Sequence, residues 1–111
     1  MHIVHYTTDQ GADLFQEWLD DLRDVRARVA ILRRIDRMEQ GNFGDWKLCT
    51  EGVCELRINV GPGYRVYYFQ YGKRVVVLLI GGDKRGQQAD IRKAIACKND
   101  YLQRIRLEEP S

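Results

Sequence analysis

Between residues 55 and 85 the chain repeatedly sets cations near a carboxylate. Glu55 and Arg57 stand in "ELRI", Arg65 in "GYRV", and Lys84 and Arg85 in "GGDKRG", with Lys47 ahead of them in "DWKL". Arginine forks bind phosphate oxygens bidentately, and lysine acts as a compact point charge. Several such groups around Glu55 suit a phosphate-bearing ligand, and Tyr67 offers a ring on which unpaired bases of a single strand could stack. The plainer alternative is that Glu55 neutralises Lys47 and Arg57 as an ordinary pair on a sheet surface. The run "LLIGGDKRGQ" sharpens the question, because a plain loop needs glycine but not two adjacent cations.

Strands must bring these residues together. "VCELRINV" alternates, placing Cys54, Leu56, Ile58 and Val60 on one face and Val53, Glu55, Arg57 and Asn59 on the other. "GPG" at 61–63 predicts a turn into a second strand, "YRVYYFQY", and "GK" at 72–73 a two-residue hairpin into "RVVVLLIG". Turn length fixes register, and register decides which side chains share a face. The expected pairs are Lys47 with Glu55, Asn59 with Arg65, Arg57 with Tyr67, Tyr67 with Leu78 and Arg65 with Ile80. One face then collects Lys47, Glu55, Arg57, Asn59, Arg65 and Tyr67, and even-numbered Lys84 continues it.

The first half has another period. After a short strand, "IVHY", Thr8 or Asp9 is expected to cap a helix. Phe15, Trp18, Leu22, Val25, Val29, Leu32, Ile35 and Met38 then recur every three or four positions. This predicts two amphipathic helices with a break near Asp20–Asp24, closing at Gly41. Arg23, Arg26, Arg33, Arg34 and Arg37 fall off that stripe and read as a solvated face. A last helix is expected in "QQADIRKAIACKNDYLQRI", and "LEEPS" reads as a frayed tail.

At 111 residues the chain suits a single domain, residues 1–111. Its net charge of +2 hides an asymmetry: residues 1–56 hold 7 basic and 11 acidic side chains, and residues 57–111 hold 11 and 5. The second half is therefore net +6 and the first net −4, so one end of the domain can attract polyanions. Cys49, Cys54 and Cys97 have no ligand spacing and fit reduced thiols rather than a zinc site or disulfide frame. No metal or other cofactor is expected. With no export signal in "MHIVHYTTDQ" and no apolar run long enough to span a bilayer, the expected location is cytoplasmic, away from membranes.

Three stretches in order carry a resemblance: "FQEWLDDLRDVRARVAILRRIDRMEQGNFGDWK", "GVCELRINVGPGYRVYYFQYG" and "VVVLLIGGDKRGQQADIRKAI". With "GNFGD-K", "ELRI", "GYRVYY" and "GGDK–Q–DI" the chain resembles the RelE/ParE superfamily of bacterial toxins, and within it the HigB-like addiction module killer proteins. The usual small hydroxylated residue after "GGDK-" is here Gly86. The resemblance implies an α+β, RelE-like fold: two N-terminal helices on a mostly antiparallel sheet, and a C-terminal helix. It implies a type II toxin–antitoxin pair, with a cognate antitoxin that often carries a helix-turn-helix domain, and cleavage of mRNA on the ribosome. Arg57, Arg65 and Lys84 match the family's basic positions, and Lys47 matches more weakly. Arg57 and Arg65 would stabilise the phosphate, Glu55 or Lys47 would take the 2′-hydroxyl proton, and Lys84 would donate a proton or clamp the phosphate. Two other functions fit the same fold: a ParE-like inhibitor of DNA gyrase, and a non-toxic module that only binds an antitoxin.

Overall fold

A computed structural model describes residues 1–108. Among them the order is β1 (His2–His5), α1 (Leu14–Asp21), α2 (Val25–Glu39), β2 (Trp46–Thr50), β3 (Val53–Ile58), β4 (Tyr64–Tyr71), β5 (Val75–Asp83) and α3 (Gln87–Glu108). A 3-10 turn, Lys84–Gly86, joins β5 to α3. One sheet runs β1-β5-β4-β3-β2; β1 pairs with β5 in parallel and the other neighbours are antiparallel. The fold is α+β, as expected. Leu107 and Glu108 of the expected tail are helical, and the remainder, 109–111, lies outside the described residues.

Each face of the sheet has its own apolar core. Phe15 and Leu19 of α1 and Ala27, Ile31 and Met38 of α2 pack on Leu56, Ile58, Val66, Tyr68 and Leu78. Ala94 and Cys97 of α3 pack on the other face against Val53, Tyr67, Phe69, Leu79 and Ile80. The caps differ from expectation. Asp13, not Thr8 or Asp9, caps α1 by accepting from Gln16 N–H at 3.0 Å, and Asp24 caps α2 through Arg26 and Ala27. Gly41, with φ +91°, closes α2 as expected.

The apolar stripe of α2 also needs correction. Val25, Val29 and Leu32 are 60%, 41% and 48% exposed, so they do not face the core. Ala27 and Ile31, displaced around the helix, are buried instead, together with Met38 of the expected stripe.

Two strand registers differ from the expected ones, with opposite consequences. The β3–β4 loop takes five residues, 59–63, so Arg57 pairs with Arg65 and Glu55 with Tyr67. This shift of two residues leaves every side chain on its expected face. The β4–β5 loop takes three residues, 72–74, so Tyr71 pairs with Val75 and the expected partners slip by one. That slip turns Leu78 to the α1–α2 side, opposite Tyr68 rather than Tyr67. A bulge at Leu79 then restores the parity, placing Ile80 opposite Tyr67 and Gly82 opposite Arg65.

The paired glycines follow from helices pressing on both faces of this strand. A Cβ on Gly81 would lie 2.0 Å from the Trp18 ring of α1, and one on Gly82 would lie 2.0 Å from Asp90 Oδ2 of α3. Gly81→Ala must displace the indole, and is expected to cost about 1–3 kcal/mol in urea unfolding. A variant unfolding at the same urea concentration as the unaltered chain would show that the ring is not held there.

Candidate phosphate-binding site

Glu55 occupies the middle of β3, on the face that α3 covers, and is wholly buried. An isolated carboxylate there would be strongly destabilising, so its partners define the site. Arg57 Nε lies 3.1 Å from Oε1, Arg65 Nε lies 3.2 Å from Oε2, and Gln87 Nε2 donates to Oε2 at 2.9 Å. Arg65 Nε–H is not aimed along its contact and has no hydrogen-bond acceptor, so that pairing is one of charge. The strands supply the convergence. Arg57 is two residues from Glu55 on β3, and Arg65 lies directly across from Arg57 on β4.

Both arginines meet Glu55 through Nε. Their terminal nitrogens form no hydrogen bond or ion pair with another side chain among the described residues. Arg57 retains 33% side-chain exposure and Arg65 11%, so the first presents its fork to solvent and the second backs it. Two guanidinium groups anchored by one carboxylate have the arrangement that can receive an anion, a candidate receptor.

The other expected residues divide. Lys47 pairs with Glu55 across β2–β3, as expected, and its side chain is exposed on the same face. Lys84 is exposed at the end of β5, with its backbone N–H bonded to Gly63 O at 3.1 Å beside the β3–β4 loop. Arg85 is 86% exposed and paired with its neighbour Asp83 at 3.3 Å, so the receptor is not its partner. Tyr67 is corrected: it is wholly buried under α3, so its ring offers no face to a base. Its hydroxyl has no hydrogen-bond partner, and burial, then Glu55, raises its pKa beyond the ordinary phenol range. Glu55 is corrected too. With no exposure and both oxygens engaged, it positions the arginines and is not placed to take a substrate proton.

Two contributors were missed. Gln87 ties the start of α3 to Glu55, and Asp90 seats its carboxylate over Gly82 and Gly86. Burial, then Asp83, pushes the Asp90 carboxyl upward, against Lys93. The signal for both was the "Q–DI" spacing after two glycines that leave room for a helix. Burial first and Glu55 next raise the Cys49 thiol pKa, which disfavours the thiolate. Among the described residues no three His, Cys, Asp or Glu side chains gather as metal ligands. Nor is any described helix long and apolar enough to cross a membrane.

Residues 17–100, from α1 through most of α3, match the family described as phage-derived protein Gp49-like (DUF891). The chain belongs to the Gp49-like family. That family is of the RelE/HigB toxin type. An uncharacterized protein of Haemophilus influenzae is 48% identical over 80 residues, covering 72% of this chain and 81% of the relative. The family match includes every strand of this Gp49-like protein except β1, and with them Lys47, Glu55, Arg57, Arg65, Lys84, Gln87 and Asp90.

Proposed function

We propose that this Gp49-like protein is a HigB-like toxin of a type II toxin–antitoxin pair, acting in the cytoplasm as a ribosome-dependent mRNA endonuclease. The observation that carries the reading is the pair of guanidinium groups, Arg57 and Arg65, fixed by Glu55 with their terminal nitrogens uncommitted. In the reaction the ribose 2′-hydroxyl gives its proton to solvent water as its oxygen attacks the adjacent phosphorus, the bond from phosphorus to the 5′-oxygen breaks, and a 2′,3′-cyclic phosphate remains. Arg57 and Arg65 stabilise the added charge on the phosphoryl oxygens. Lys84, exposed at the end of β5, gives a proton to the departing 5′-oxygen. A cognate antitoxin with a helix-turn-helix domain restrains the toxin until it is lost.

The test is induction of the protein in bacteria, with new 5′ ends of transcripts mapped alongside DNA supercoiling. Cuts confined to translated frames are the expected result. DNA double-strand breaks with intact transcripts would replace this reading with gyrase poisoning. Tight binding to a neighbouring gene's product, with no growth defect, would leave a non-toxic module.

A further inference from the structure

Helix α2 carries five arginines, Arg26, Arg28, Arg33, Arg34 and Arg37, and none forms a salt bridge among the described residues. At 3.6 residues per turn, Arg26, Arg33 and Arg37 follow one flank of the helix, between its buried face and the exposed stripe of Val25, Val29 and Leu32. That flank borders a concave groove of about 260 Å³, lined by Ala30, Arg33, Arg34, Arg37, Ile58 and Asn59 among others. Arg34 is its fixed wall. Its guanidinium donates to the carbonyls of Arg57, Phe43 and Asp45, the last two at 3.1 and 3.0 Å. Burial lowers the Arg34 pKa, with Arg37 adding to the effect and Asp45 opposing it. Asp45 is the nearby carboxylate, and it sits 3.5 Å from Asn59 Nδ2 rather than pairing with Arg33 or Arg37.

We propose that this flank is a binding track for the sugar–phosphate backbone of RNA, separate from the Arg57–Arg65 receptor. Arg26 and Arg37 are 11 positions apart, so at about 1.5 Å of rise per residue the track spans about 16 Å. One phosphate cannot reach along it, whereas a chain of phosphates can. The track and the receptor meet at Arg57, from the two faces of the sheet. Arg34 holds the backbone carbonyl of Arg57 from the α2 side, while the Arg57 side chain turns to Glu55 on the α3 side. A strand leaving Arg57 over the end of β3 therefore meets Asn59 first, then Arg33 and Arg37.

The track rests on RNA being the ligand of the receptor, so its test reads binding without cleavage. The full chain is titrated into a fluorescent, uncleavable 2′-O-methyl RNA, with anisotropy followed from about 50 to 300 mM KCl. R33E/R37E, both exposed positions, is expected to weaken binding about tenfold or more. It should also make the plot of log K against log salt shallower by about 1.4, for two single-strand phosphates at about 0.7 each. R33K/R37K should keep most of the affinity. No binding by the unaltered chain, or equal affinity and slope in R33E/R37E, would overturn the track. If Arg57→Ala abolishes transcript cleavage while R33E/R37E binds normally, the track fails and the endonuclease reading stands. If R33E/R37E loses an acidic protein partner but not RNA, the groove belongs to that partner and the proposal is again overturned.

Discussion

Replacing Glu55 with alanine is expected to lower the unfolding free energy by about 3 kcal/mol, a large share of the roughly 5–15 kcal/mol that holds a domain folded. The loss comes less from the removed side chain than from what it leaves. Arg65, at 11% side-chain exposure, would stay beneath α3 with no counter-charge, and Gln87 would lose its acceptor. Arg57, at 33%, can turn to water and contributes less. Glu55→Gln should fall between, because it keeps the volume and an acceptor oxygen but not the charge. Glu55→Met with Arg65→Leu should recover most of the stability, since an apolar pair of similar size replaces a buried ion pair at little cost. Urea unfolding of the four chains checks the order. A Glu55→Ala chain within about 0.5 kcal/mol of the unaltered one would mean that water already satisfies the arginines.

The same cluster shows where sequence patterning suffices. The alternation in "VCELRINV" placed Glu55 and Arg57 on one face, and the two-residue shift at the β3–β4 loop could not move them off it. Arg65 followed because it is of the right parity in the next strand. The bulge at Leu79 was not legible, because "VVVLLI" is apolar at both parities and no polar residue marks the slip. Tyr67 failed for another reason. Parity says which face a residue is on, but not that α3 will lie over its ring. On α2 the expected stripe ran through Val25, Val29 and Leu32, which are exposed; only Ile35 and Met38 of its α2 part meet the core, and Ala27 and Ile31 complete the buried face. The family resemblance could not repair either error, since it concerned the motif positions and not their cover.

Arg57→Ala combined with Lys84→Ala is the substitution expected to silence the toxin while leaving it folded. Arg65 is the less suitable target. Removing it would strip Glu55 of its most buried counter-charge, and loss of activity would then be confounded with loss of structure. Without Arg57, Glu55 still keeps Arg65 and Gln87, and Lys84 is exposed with no ion pair among the described residues. Removing one preorganised donor from a developing oxyanion typically slows a reaction about 10²–10³-fold. On the proposed mechanism, loss of the leaving-group proton from Lys84 would add a further ~10²–10⁴. The double variant should therefore permit normal growth on induction and show no new 5′ ends in translated transcripts. Its urea midpoint should stay close to that of the unaltered chain. Arg57→Lys is expected to retain part of the toxicity, because a point charge replaces the fork without its second hydrogen bond. Full growth inhibition by a folded Arg57→Ala, Lys84→Ala chain would remove phosphoryl chemistry from this face. The anchored arginines would then be a structural pair, and the cell's injury would have to come from a surface that cuts nothing.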